Sequence, residues 1–180
     1  MDSSGQLVNE FEKDLKYSEK QREKLKDFYA IKAYEGRYIF VNKQCSEMSK
    51  LLQNNAVDTI MQLSDNKEIY IEEKIVRWKG KLYNSFTLET ESCTVDEYKK
   101  DGWMKYGKFD FLLYGFEQFD RSIIVYIIPF QKLKLWFWDN YEKYPITMTE
   151  QINKTKCRIV KISDVEKYVG FKKFIISGII

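Results

Sequence analysis

The sequence predicts an α/β domain bordering on α+β, in which a mixed central β-sheet is flanked by helices. Three observations carry that reading. Segments of helical period open the chain and return late in it, while the middle holds short runs of β-branched and aromatic residues separated by turn signals. Glycine numbers only 8 and proline 2, which argues against repeats, linkers and low-complexity tracts. No shift in composition divides the 180 residues, a length that can bury one core, so 1–180 reads as a single domain.

Taken in order, Val8, Phe11, Leu15, Leu25 and Phe28 recur near helical spacing among Lys and Glu, predicting a long amphipathic helix from about Gln6 to Tyr29. "RYIFV" (Arg37 to Val41) follows a turn at Gly36 and reads as a short strand. "SEMSKLLQ" (Ser46 to Gln53) has a Ser-x-x-Ser opening and the apolar Met48, Leu51 and Leu52 of a short helix, stopped by Asn54 and Asn55. Val57 to Leu63 and Glu68 to Trp78 are two strands joined through the turn sequence "SDNK". "SFTLETES" (Ser85 to Ser92) is a third strand, entered by a turn around Gly80 and Asn84, and "TVDEYKKDGWMKYGK" reads as a loop with a short helix.

"FDFLLYGF" and "SIIVYIIPF" are apolar strands. "FQKLKLWFWDNYEKY" sets Leu133, Trp136, Phe137 and Tyr141 at helical spacing, as expected of a helix packed on the sheet. Its aromatic run could also stack nucleobases, although core packing is the plainer role. "KCRIVKI" is read as the final strand, and Ser163 with Glu166 forms a capping box opening one more short helix.

Composition excludes several chemistries. The chain has no histidine, which rules out Ser-His-Asp and Cys-His catalysis and imidazole zinc sites. Neither a Walker loop nor GxGxxG occurs. Cys45, Cys93 and Cys157 are odd in number and far apart, which fits a reducing compartment better than a disulfide framework. The N-terminal "MDSSGQLVNEFEKDLKYSEKQ" lacks the basic and apolar regions of a signal peptide, and no apolar run is long enough for a membrane span, so a soluble, cytoplasmic protein is expected. Net charge is only +3, but residues 131–180 hold ten Lys and Arg against five Asp and Glu. That basic third, with Lys105 and Lys108, is the candidate source of phosphate contacts; a solvated lysine surface is the plainer reading.

The question posed by the chain lies in "EIYIEEKIV", where Glu72, Glu73 and Lys74 interrupt an otherwise apolar strand. Residues two apart on a strand share a face, so Glu72 and Lys74 point one way and Glu73 the other. Asp58 comes from the preceding strand. Asp58 and Glu72 offer two hard oxygen ligands for Mg²⁺ or Mn²⁺, beside a cation able to stabilise charge on a phosphate. Glu89 and Glu91 share a face of the next strand, and Glu89 is a candidate for a further metal ligand. Register decides the matter. A regular two- or four-residue turn centred on Asp65 and Asn66 sets Asp58 opposite Glu73, whereas a three-residue loop or a bulge is expected to move it opposite Lys74 and onto the Lys74 face. A purely structural ion pair is the bland alternative.

Asp58 followed by Glu72-x-Lys74 on the next strand resembles the signature of the PD-(D/E)XK nuclease superfamily, with Val57 where the proline often stands. "NSFTLETES", "DGWMKYGKFDFLLYGF" and "VYIIPFQKLKLWF" resemble later segments of its small phage- or mobile-element-encoded members, extending the likeness over about Lys32 to Phe137. The resemblance implies a restriction-endonuclease-like core and metal-dependent hydrolysis of DNA, with Asp58 and Glu72 as ligands and Lys74 as the catalytic cation. It also implies a glutamate from the leading helix, for which Glu10 and Glu12 are candidates, and a bacterial cytoplasm as the setting. The substrate could be duplex, branched or single-stranded, and a homodimer is allowed. The alternative is a nuclease-fold protein that no longer cleaves, and instead binds nucleic acid or inhibits a host protein.

Overall fold

A computed structural model of the chain describes residues 16, 17, 20, 21, 23–26, 28, 29, 37–40, 51, 52, 54–63, 65–94, 99–148 and 154–177, with 37–40 described by backbone. The strands are β1 (Arg37–Phe40), β2 (Thr59–Gln62), β3 (Glu68–Val76), β4 (Ser85–Cys93), β5 (Lys100–Asp101), β6 (Phe111–Glu117), β7 (Ile123–Pro129), β8 (Ile146–Met148), β9 (Lys156–Lys161) and β10 (Lys172–Ile176). Three helices fall between them: α1 (Trp103–Tyr106), α2 (Phe130–Asn140), extended by a 3₁₀ turn at Tyr141–Lys143, and α3 (Ile162–Tyr168). Helical residues within 16–29 belong to the expected N-terminal helix. The mixed α/β architecture expected from the sequence is the one observed.

β6 and β7 show why the main sheet forms. Alternate residues of β6 bury to opposite sides: Leu112, Tyr114 and Phe116 join one apolar cluster, while Leu113 joins another with Ile71, Ile123 and Val125. A strand buried on both faces reads as a continuous apolar run, because neither side can be given to water. The sheet runs β1-β2-β3-β6-β7-β10, with β3 and β6 parallel and the other pairs antiparallel. Gly115 sits where a Cβ would lie 3.0 Å from Ile123 and 3.2 Å from Ile75, so a side chain there would have to push these neighbours aside by a few tenths of an ångström.

The N-terminal helix covers one face through Leu25, Phe28 and Tyr29. Lys24 fastens it by donating to the Arg121 carbonyl at 2.8 Å, and Tyr17 donates to Glu117 at 3.3 Å. The other face carries α1, α2 and a second, antiparallel sheet ordered β5-β4-β9-β8. Parallel neighbours need a crossover connection. Here the crossover from β3 to β6 contains β4, β5 and α1, which lays them over β3.

Several expectations are corrected. Beside the expected central sheet, β4 and β9 build a second one with β5 and β8. "KCRIVKI" is not the last strand, since β10 follows α3 and pairs with β7 at the edge of the main sheet. The Ser163–Glu166 capping box is not used; α3 starts at Ile162 after Lys161, with no side-chain cap bond. The helix predicted through Tyr144 leaves α-geometry after Asn140. The short β5 and β8 lack the length that makes a strand visible in sequence. Val8, Phe11, Leu15, Glu10, Glu12, Cys45 and most of "SEMSKLLQ" lie outside the described residues; of that last segment Leu51, Leu52 and the following Asn54 are helical. Among the described residues, no helix is long and apolar enough to cross a membrane.

Candidate active site

The β2–β3 hairpin supplies the irregularity that the site requires. Leu63 N–H bonds Lys67 O at 2.8 Å across three intervening residues, with Asn66 in the left-handed region at φ 62° and the Lys67 N–H held by Asp65 at 3.0 Å. The register that follows pairs Thr59 with Ile71. One step further the ladder breaks, because Asp58 N–H also reaches Ile71 O at 2.9 Å. The Asp58 carboxylate then accepts the Glu73 N–H at 3.1 Å, taking the place of a backbone acceptor. The expected position opposite Lys74 is therefore corrected: the ladder ends at Thr59 and Ile71, and Asp58 sits at the break, its N–H on Ile71 O and its carboxylate on the Glu73 N–H.

The two adjacent glutamates separate as strand geometry demands. Glu73 turns toward the N-terminal helix, where its Oε1 accepts from Thr59 Oγ1 at 2.6 Å and Tyr29 OH at 2.7 Å. Glu72 turns to the opposite face, beneath β4 and α1. There Lys74 reaches Thr87 O at 3.4 Å and lies 6.0 Å and 5.9 Å from the ring centres of Trp103 and Tyr114. Thr87 is bonded again by Tyr114, whose hydroxyl accepts the Thr87 N–H at 3.1 Å and contacts Thr87 Oγ1 at 2.8 Å. Lys74 and Tyr114 thus satisfy a stretch of β4 edge that would otherwise need a neighbouring strand.

Electrostatics tie the sequence candidates together. Burial pushes the Tyr106 phenol up to about 12, and Glu72, Glu89 and Asp58 push in the same direction. Two strand carboxylates, Glu72 of β3 and Glu89 of β4, and Asp58 just before β2 therefore act on one hydroxyl. Burial works against the charge on Lys74, but Tyr114, Cys157, Glu89 and Glu72 around it outweigh burial and hold the ammonium above the usual lysine range. Cys157 faces Glu89 across the β4–β9 ladder. Its thiol is raised by burial, lowered by Lys74 and raised by Glu89, with a net upward shift that disfavours a thiolate nucleophile.

Gly102 makes this convergence possible. A Cβ there would lie 2.5 Å from the Glu89 carbonyl oxygen, so only glycine lets the start of α1 rest directly on β4. Gly102 N–H bonds Thr90 O at 2.8 Å, and α1 then projects Trp103 into the core and Tyr106 over the carboxylates. Lys105 and Lys108 flank Tyr106 on the exposed side. Lys105 pairs with Asp101 at 2.9 Å, while Lys134 from α2 donates to Lys105 O at 2.7 Å. The Lys134 ammonium is lowered by burial and then by the charge of Lys108, so these lysines form one positive rim.

Asp58, Glu72, Lys74 and Glu89 are thus brought into one neighbourhood, with Lys105 and Lys108 at its border. Glu91 instead pairs with Lys156 at 2.7 Å. The sequence reading did not single out Tyr106, Trp103, Tyr114, Thr87, Cys157 or Gly102; the i, i+3 pair Trp103 and Tyr106 after a glycine was the available signal. Carboxylates without imidazole suit a hard divalent cation such as Mg²⁺, which needs only one or two protein carboxylates. Asp58 and Glu72 fit that requirement by type, and both act on the Tyr106 hydroxyl. Among the described residues no group of three or more His, Cys, Asp or Glu is close enough to hold an ion by itself. Compared with protein-family models, curated proteins and solved structures, the chain matches none.

Proposed function

We propose that the protein is a metal-dependent nuclease hydrolysing DNA phosphodiester bonds at the face of β3 that carries Glu72 and Lys74. The observation that supports this reading is the joint action of Asp58, Glu72 and Glu89 on Tyr106, next to a lysine on the same face. Asp58 and Glu72 would hold Mg²⁺ or Mn²⁺, with Glu89 as a further candidate. The ion, when bound, neutralises phosphate charge and makes a coordinated water more acidic.

The chain's own residues have distinct tasks. Lys74 keeps its proton and offers a positive N–H toward negative charge developing at the phosphate. Tyr106 stays protonated well above neutral pH and offers an O–H at the rim. Lys105, Lys108 and Lys134 attract the phosphodiester backbone without reading bases. Glu73, held by two hydroxyls, orients the strand from behind.

A second reading rests on the bond from Lys74 to Thr87 O, which assigns the lysine a structural task. On that reading the fold binds nucleic acid or a host protein without cleaving. The deciding experiment is nicking of supercoiled plasmid with Mg²⁺ or Mn²⁺, an EDTA control, and Glu72→Gln alongside. Metal-dependent nicking that Glu72→Gln abolishes supports the nuclease. Intact plasmid under all metals, with DNA still bound or a host protein captured tightly, supports the second reading.

A further inference from the structure

Away from the carboxylates, a cleft of about 650 Å³ opens between β9, the end of α2 and α3. It shares no residue with the Asp58 site. Its aromatic wall is made by Trp136, Tyr144 and Tyr168, and its polar groups are Lys143, Lys161, Asn140, Ser85 and Asp164. We propose that this cleft binds one nucleotide unit, with the base against Trp136 and Tyr168 and the phosphate at Lys143 and Lys161. This assignment concerns binding and stands apart from cleavage.

The volume lies in the range of small-ligand sites. The chemistry narrows the choice. Trp136 and Tyr168 stack on one another, their ring centres 5.9 Å apart with 17° between planes, so a flat ligand laid on the outer face of either ring is nearly parallel to both. Tyr168 is 58% exposed, leaving aromatic surface uncovered by the protein. Trp136 is only partly buried against the core: Phe130, Leu133 and Phe137 hold the fully buried positions of α2, and Trp138 donates its indole N–H to Met104 O at 3.2 Å. The run "LWFWDNY" therefore divides between core and cleft.

Charge supports the phosphate. Lys161 is exposed, and Lys143 is held over the cleft by donating to Asn140 Oδ1 at 2.7 Å. Lys167, outside the cleft lining, lies 4.8 Å from the centre of the Tyr168 ring and covers part of one of its faces. The one acidic lining group, Asp164, accepts from Tyr144 OH at 3.2 Å. A carboxylate has further acceptor positions, suited to an N–H of a base and hostile to phosphate, which fixes the ligand's orientation.

The same chemistry could come from a DNA strand or from a free nucleotide. Binding is measured in EDTA at low salt, by fluorescence anisotropy with labelled decathymidylate and by calorimetry with dTMP. Metal-free conditions keep the result independent of whether Asp58 and Glu72 support cleavage. Tyr168→Ala and Lys161→Glu, both at exposed positions, should each raise Kd about tenfold, equivalent to about 1.4 kcal/mol. Losses with the oligonucleotide assign the cleft to a strand, and losses with dTMP alone assign it to free nucleotides. No binding of either ligand, or Kd values for both variants within about twofold of the parent, would overturn the proposal.

Discussion

The two faces of β3 place the same side chain in opposite circumstances. Glu73 is held by the Tyr29 and Thr59 hydroxyls against the N-terminal helix. Glu72, one residue earlier, faces Lys74, Tyr106 and the crossover that carries Glu89. The first arrangement surrounds a carboxylate with neutral donors and makes it part of the packing. The second gathers like charges around one cation and one phenol, an arrangement costly for a fold unless it serves binding or chemistry. Adjacent glutamates are thus divided by the strand's period of two, and their partners assign their tasks.

The largest effect should come from Lys74. Lys74→Ala is expected to lower metal-dependent nicking by about 10²–10³. It also leaves Thr87 O without its donor, so urea unfolding should report a loss of about 1–3 kcal/mol. Full nicking activity in that variant would remove Lys74 from the proposed chemistry.

Next comes the paired substitution that tests the comparison directly. Glu73→Gln gives up a charged acceptor for two hydroxyls and should cost about 1–2 kcal/mol of stability while nicking persists. Glu72→Gln should do the reverse, abolishing nicking while stability falls by less than about 1 kcal/mol, since it relieves repulsion from Asp58 and Glu89 as it weakens attraction to Lys74. Should Glu73→Gln abolish nicking and Glu72→Gln spare it, the catalytic face has been assigned to the wrong side. Gly102→Ala probes the crossover: a Cβ against the Glu89 carbonyl forces α1 off β4, with an expected loss of about 1–3 kcal/mol and of Tyr106's position.

The smallest effect is in the alkaline limb. With its folded-state pKa raised to about 12, Tyr106 binds its proton more tightly folded than unfolded. Its contribution is therefore fully present below the unfolded tyrosine value of about 10 and is lost as pH rises through about 12. Tyr106→Phe should flatten the decline of melting temperature across that window. Glu72→Gln should move the Tyr106 titration, followed by ultraviolet difference absorbance, to lower pH, while Glu73→Gln leaves it in place. Equal shifts from both variants would show that the faces are not electrostatically distinct.

The sequence by itself determined the local elements and the candidates. Alternation and apolar runs revealed β3, β4, β6 and β7, and the absence of histidine limited the chemistry to carboxylates, lysine and hydroxyls. The i, i+2 rule separated Glu72 and Lys74 from Glu73 before any fold was known. Short strands such as β5 and β8 were illegible because two or three residues carry no period, and β10, with its interrupted pattern "KKFII", reads equally as a tail. Tertiary structure alone decided the hairpin register and the break at Asp58, since a one-residue change in the loop would turn every β2 side chain to the other face. It also decided that the β3-to-β6 crossover folds β4 and α1 over Lys74. Such contacts join residues distant in sequence, and their partners are chosen by burial and backbone hydrogen bonding across the whole domain, which no local pattern encodes.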